Sequence, residues 1–364
     1  MAKKKSCYSG IGGQAVMEGI MMKNKDSYAV AVRKPDKTIE LHVEISKQPD
    51  NWARKTPFIR GIFNFVDSMV LGMQTLSYSA SFYEEDAQET GFDRFMSKVF
   101  GDKAEKAMTT VSMIFAAIIA VAIFMVLPYF AASFLERYLS NPSVIAIIEG
   151  LIRVTIFIVY ILLISLMKDI RRVFMYHGAE HKCINCIENG RPLNVKNVMR
   201  SSRLHRRCGT SFILIVMVIS IVLFFFIRVD NMALKLVLRL ALIPVIAGIS
   251  YEVLRLAGRY DNWFIKLISA PGMLLQRLTT REPEEDMVEV AIKAVEAVFD
   301  WKEYLRDNFG YDGSATEEWL DDDEDDEEEE SMDLSWNTAV QEEQVTVDDD
   351  DDELMFEDLE RIDV

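Results

Sequence analysis

The 364-residue sequence predicts a mainly α, polytopic helical membrane protein with about four transmembrane helices. A small N-terminal cytoplasmic β-hairpin region precedes them, and a disordered acidic tail follows. Three observations predict this class. Long uncharged apolar runs recur through the middle of the chain. Apolar and polar residues alternate near the N-terminus. Acids crowd into the last segment, where residues 312–364 hold 26 Asp and Glu against one base, Arg361. The net charge of -17 therefore misdescribes the body, which carries 31 acids and 39 bases.

The first fifty residues read as the hairpin region. Met1 to Gly10 has lysines with no apolar run behind them, so no secretory signal peptide is expected, and Cys7 lacks the apolar stretch of a lipoprotein signal. Gly10 to Gly19 is glycine-rich but lacks the Lys-Ser/Thr of a phosphate loop, so its glycines serve tight turns or close packing. Ser27–Val32 and Thr38–Ser46 alternate around Lys34-Pro35-Asp36-Lys37, the pattern of two paired strands. His42, inside that alternation, reads as structural. Over 51–106, Phe58, Ile62, Phe65, Val66, Met69, Val70, Met73 and Leu76 recur at helical spacing, which predicts amphipathic helices at the membrane interface or packed on the spans.

The membrane domain occupies 107–280. Ala107 to Leu135 contains 29 residues without a charge, beyond the roughly 20 that a helix needs to cross hydrocarbon. Val144–Met167 and Cys208–Ile227 read as the second and third spans. Leu236–Leu256 is a weaker fourth, because only Leu240–Tyr251 is free of charge. Glu149 and Arg153, four apart inside the second span, read either as mutual neutralisation or as an intramembrane functional pair. Between the second and third spans, residues 168–207 hold ten Lys and Arg against three acids. The positive-inside rule places that loop in the cytoplasm, and four crossings then place both termini there, in the plasma membrane.

Beyond the spans, Trp263–Leu278 reads as an apolar piece broken by Pro271-Gly272, half-buried or lying in the membrane plane. Residues 281–311 read as an amphipathic helix with Val288, Ala291, Ile292, Val295, Val298 and Phe299 on one face. The tail, with ten consecutive acids from Asp321 to Glu330, repels itself and is expected to stay disordered. Its last residues could dock a protein partner. The other expected partner is the lipid bilayer, and no nucleic acid is expected.

Chemistry concentrates in the 168–210 loop, which contains three of the four histidines and three of the four cysteines. His177-Gly178-Ala179-Glu180-His181 places two imidazoles four apart, on one face of a helix, with a carboxylate offset beside them. Inverted zinc peptidases use the same arrangement, in which the carboxylate addresses a water rather than the ion. His205 and Cys208 stand at the other end of the loop and are candidate third ligands, as is Glu188. Cys183 and Cys186 form a Cys-x-x-Cys pair that could instead close a four-ligand structural site with the histidines. Mixed imidazole and thiolate ligands favour zinc among divalent cations.

These residues carry a resemblance. Gly12-Gly13-Gln14-Ala15-Val16-Met17-Glu18-Gly19-Ile20-Met21-Met22, Pro57-Phe58-Ile59-Arg60-Gly61, His177-Gly178-Ala179-Glu180-His181-Lys182 and His205 with Arg207-Cys208-Gly209-Thr210-Ser211-Phe212 resemble a bacterial family of multi-pass membrane proteins. That family is domain of unknown function 1385, or the YqhQ-like family, and the likeness spans about residues 8–305. It implies a predicted metal-dependent enzyme without an assigned substrate. It also implies a pattern that includes His177, Glu180, His181, His205 and Cys208 but neither Cys183 nor Cys186. Two functions are therefore expected to compete. In one, a metal-dependent hydrolase works at the cytoplasmic face with Glu180 as general base. In the other, a non-enzymatic scaffold or assembly factor uses a structural metal.

Overall fold

The computed structural model describes residues 7–45, 52–83, 104–135, 138–139, 141–205, 207–227, 229, 231–257 and 263–313. The acidic tail beyond these lies outside the described residues. So do most of the 84–106 segment and the side chains of 263–269.

Four strands form an antiparallel meander in sequence order: β1 (Gly12–Val16), β2 (Gly19–Asn24), β3 (Ser27–Arg33) and β4 (Ile39–Ile45). The expected hairpin is β3–β4, with Arg33 opposite Ile39. The glycine-rich stretch supplies β1 and leads into β2 as two further strands, paired from Val16–Gly19 to Gly12–Lys23. Between Val16 and Gly19 the chain reverses through Glu18, whose φ of 48° is left-handed. β3 is buried from Tyr28 to Val32 because helices cover both faces of the sheet. Leu71, with Tyr78 and Phe82, packs one side against Val16, Met21, Tyr28, Val30 and Val32. On the edge strand β4, Leu41, Val43 and Ile45 are exposed.

The helices, in chain order, begin with α1 (Trp52–Lys55), α2 (Ile59–Ala80) and α3 (Ala104–Val121), then a π-helical turn (Ala122–Val126) and α4 (Leu127–Leu135). They continue with α5 (Pro142–Ser165), α6 (Lys168–Glu188), α7 (Val195–Met199), α8 (Gly209–Phe225) and α9 (Met232–Ala257). The last are α10 (Trp263–Thr279), α11 (Glu285–Val298) and α12 (Trp301–Phe309).

Among the described residues, three helical stretches are long and apolar enough to cross a membrane: Thr110–Leu135, Pro142–Ser165 and Ala233–Leu256. Their apolar side chains, among them Phe115, Ile118, Leu163 and Val237, lie exposed, as lipid-facing residues do. The ranking of the last two apolar runs reverses. The stretch read as a weak fourth span forms the 26-residue α9, whereas the third forms the 17-residue α8. Arg239, which breaks the apolar run in the sequence, is buried in α9 against Glu149 of α5. Phe157 and Ile161 of α5, Met217 of α8 and Leu275 of α10 make the core between these helices.

Two other expectations change. α10 runs unbroken through Pro271, and Gly272 lets Ser211 of α8 approach where a side chain would collide. The single amphipathic helix over 281–311 is two helices. Its chain extends at Phe299, and Asp300 caps α12 by accepting from the N–H of Lys302 and Glu303 at 3.1 and 3.0 Å. α11 lays Met287, Val288, Ala291, Ala294 and Val295 into the body, and Arg33 of β3 reaches Glu289 at 3.2 Å to pin it there.

Candidate metal centre

Residues 168–188, between the apolar helices, form a helix rather than a loop. α6 ends where Gly190 takes a left-handed φ of 80°, a conformation glycine adopts without the Cβ cost. Its regular turn stacks His177 and His181 on one face, with ring centroids 4.4 Å apart. Gly178, between them, lies so close to the carbonyl of Arg281 that a Cβ has no room.

Each imidazole is fixed through Nδ1. His177 donates to the carbonyl of Thr279 at 2.9 Å, and His181 to the carbonyl of Arg203 at 2.6 Å. A carbonyl only accepts, so both Nδ1 atoms carry a proton, which leaves each Nε2 as the atom that can turn to an ion once any proton there is lost. Cys208, at the N-terminus of α8, closes the group: its Sγ lies 3.2 Å from Nε2 of His177. One donor atom from each of His177, His181 and Cys208 falls within 4.8 Å of the other two. A tetrahedral ion with ordinary zinc bond lengths spaces its donors by about 3.3–3.7 Å, so a small contraction would seat it.

Electrostatics agree with that donor set. Burial pushes the Cys208 thiol up, but the two imidazoles beside it hold it well below the usual thiol range. The helix N-terminus behind it, where Thr210 N–H donates to Sγ at 3.4 Å, favours the thiolate as well. Burial opposes protonation of His177, yet the neighbouring thiolate more than offsets it and lifts that imidazole to about 9. A thiolate–imidazolium pair alone would need one histidine. Here two rings with carbonyl-bound Nδ1 atoms flank one sulfur, an arrangement that could hold a metal ion.

Glu180 is buried on the same helix. Its Oε1 accepts from Gly13 N–H of β1 at 3.1 Å. Burial raises its pKa, while the imidazoles of His177 and His181 pull the other way. Such a carboxylate holds a proton more readily than a surface one, a property of general bases.

The remaining candidates lie outside the three-donor set. The His205 ring sits 5.6 Å from that of His181, and its Nε2 lies 3.6 Å from Glu188 Oε2 and 3.2 Å from Arg207. Burial holds its pKa down. Its backbone is clamped by Gln276 of α10, which accepts from its N–H at 2.8 Å and donates to its carbonyl at 2.7 Å. Glu188 is occupied by Arg207 and by Ser9, whose N–H and hydroxyl donate at 2.9 and 2.8 Å. Cys183 and Cys186 follow His181 by two and five residues, which turns both to the far side of the helix. Cys186 Sγ meets the carbonyl of Pro192 at 3.5 Å, and burial pushes its thiol to about 12. Arg203, Gln276 and Thr279 are supporting residues that the motif reading does not contain, and Gly13 enters that reading only as part of a glycine-rich stretch.

Comparison with known proteins agrees on kinship and adds no chemistry. The profile described as a protein of unknown function (DUF1385) matches residues 56–301. The uncharacterized protein YqhQ of Bacillus subtilis (strain 168) is 37% identical over 294 residues, covering 78% of this chain and 90% of that protein. No solved structure matches. On the extent of that profile and the identity to YqhQ, the chain belongs to the DUF1385 family.

Proposed function

We propose that this protein is a metal-dependent hydrolase working at the cytoplasmic face of the plasma membrane, with His177, His181 and Cys208 holding one divalent cation, zinc in preference. The observation that carries the reading is the convergence of those three donors, two of them imidazoles locked by backbone carbonyls. Three protein ligands leave a coordination position free, the hallmark of catalytic rather than structural zinc. When bound, such an ion acidifies a water and polarises a substrate carbonyl or phosphoryl group. Glu180, buried with Oε1 held by Gly13, takes the proton at its carboxylate and returns it to the leaving group. His205 and Gln276 set the path of the arm that delivers Cys208.

In this reading α3–α4, α5, α8 and α9 cross the bilayer, which puts both termini on the cytoplasmic side. The ten bases of 168–207 support that orientation, and α8 spans about 25 Å before its flanking apolar residues are counted.

A second reading has an observation in its favour. His181 and Cys208 are almost fully buried, as donors of a structural ion are, and the ion would then only tie α6 to α8 in a scaffold. Turnover separates the two. The purified zinc-loaded protein, offered peptides and lipid-linked substrates, should lose about 10²–10⁴-fold in rate on Glu180→Gln with its metal retained. No turnover in the wild type would leave the scaffold reading, and equal turnover in the variant would remove Glu180 as the general base.

A further inference from the structure

We propose that Lys235 and Arg239, backed by Arg153, form an intramembrane site for a phosphate anion, presented by a lipid headgroup or free. The proposal takes α5, α8 and α9 as bilayer-embedded, as above, and requires neither the metal nor Glu180.

The charges do not balance there. Glu149 of α5 is the carboxylate for two guanidiniums: Arg239 of α9 holds it through both terminal nitrogens at 2.6 and 2.9 Å, and Arg153 of α5 at 3.1 Å. Ser220 of α8 takes the other Arg153 nitrogen at 3.0 Å. All four residues are buried. Lys235, one turn before Arg239, meets the ring of Tyr129 at 4.9 Å and has no carboxylate partner among the described residues. Among the described residues, one acid thus faces three bases between apolar helices. An uncompensated cation in that setting is costly enough to call for a counter-anion.

The local structure opens beside these groups. Met125, Val126, Tyr129, Lys235, Leu236 and Arg239 line a cleft, and the π-helical turn Ala122–Val126 forms one wall. Such turns interrupt helices chiefly at functional positions. The Nε–H groups of both Arg153 and Arg239 are buried with no acceptor among the described residues. A guanidinium Nε–H beside an ammonium suits an anion with several oxygens better than a monatomic one. The rest of the lining is apolar, which fits an anion delivered with acyl chains. Ser220 is about 18 Å along α8 from Cys208, so this site is separate from the metal centre.

Thermal unfolding of the full-length protein in detergent tests the proposal. Phosphatidylglycerol should raise the midpoint by roughly 5 °C at saturation, and zwitterionic phosphatidylcholine should not. Lys235→Gln should weaken the response about tenfold, with Lys235→Arg restoring it and the distant Lys302→Gln leaving it intact. Stabilisation by inorganic phosphate with the same dependence on Lys235 also supports the site and assigns it to the free anion. A wild type that responds to neither probe beyond phosphatidylcholine, or a Lys235→Gln variant that responds like wild type, overturns the proposal.

Discussion

Gly13 donates its backbone N–H to Oε1 of Glu180 at 3.1 Å, across 167 residues of sequence. The glycine-rich strand thereby becomes part of the histidine site rather than a neighbour of it. A Cβ at Gly13 would come within 2.5 Å of Met22 Sδ and 2.6 Å of the Met21 carbonyl, so the strand can lie there only without a side chain. Gly13→Ala should therefore cost about 1–3 kcal/mol in unfolding free energy and displace Glu180. Chemical denaturation of the detergent-solubilised variant measures the first, and turnover the second.

Two glycines beside the proposed metal ligands should behave oppositely. A Cβ at Gly178 runs into the backbone carbonyl of Arg281, which cannot rotate away, whereas one at Gly209 meets nothing within 4 Å. Gly178→Ala should lower stability by about 2 kcal/mol or more and reduce bound metal. Gly209→Ala should change stability by less than about 1 kcal/mol, toward stabilisation because glycine leaves the helix. Thermal unfolding of the pair, side by side, checks both.

Glu188 should confer stability that depends on pH. Burial alone would push its carboxyl up, but the His205 ring, the Arg207 guanidinium and the Ser9 N–H hold it down at about 2. Since burial keeps His205 from protonating, Arg207 supplies the charge at neutral pH. A folded carboxyl that titrates below its unfolded value contributes fully above about pH 4.5 and loses that contribution as pH falls toward 2. Glu188→Gln should therefore cost on the order of 3 kcal/mol at pH 7, and the gap to wild type should close as pH is lowered through that window. A gap that stays constant across the titration would contradict the assignment.

How much of this was legible in the sequence depends on what each residue does. The β3–β4 hairpin is visible because Ser27–Val32 and Thr38–Ser46 alternate, but β1 and β2 are not, since Gly12-Gly13 and Met21-Met22 erase the period-two signal. Apolar runs reveal the long helices. Their ranking fails at α9, because the sequence shows Arg239 as a charge and hides its partner Glu149, 90 residues away. Spacing alone brings His177, Glu180 and His181 together, and Cys208 is visible as a rare residue at the edge of an apolar run. The carbonyls of Thr279 and Arg203 that orient the imidazoles have no sequence signature, as every residue owns a carbonyl. Gln276, which clamps His205 through both ends of its amide, lies in a stretch read only for hydropathy.

Metal content of the purified full-length chain, by inductively coupled plasma mass spectrometry, bears on the His177–His181–Cys208 centre without needing a substrate. About one zinc per chain is expected in the wild type and in Glu180→Gln, with His177→Ala and Cys208→Ser each losing most of it. A wild type without a transition metal, or a His177→Ala variant that keeps a full complement, would contradict it.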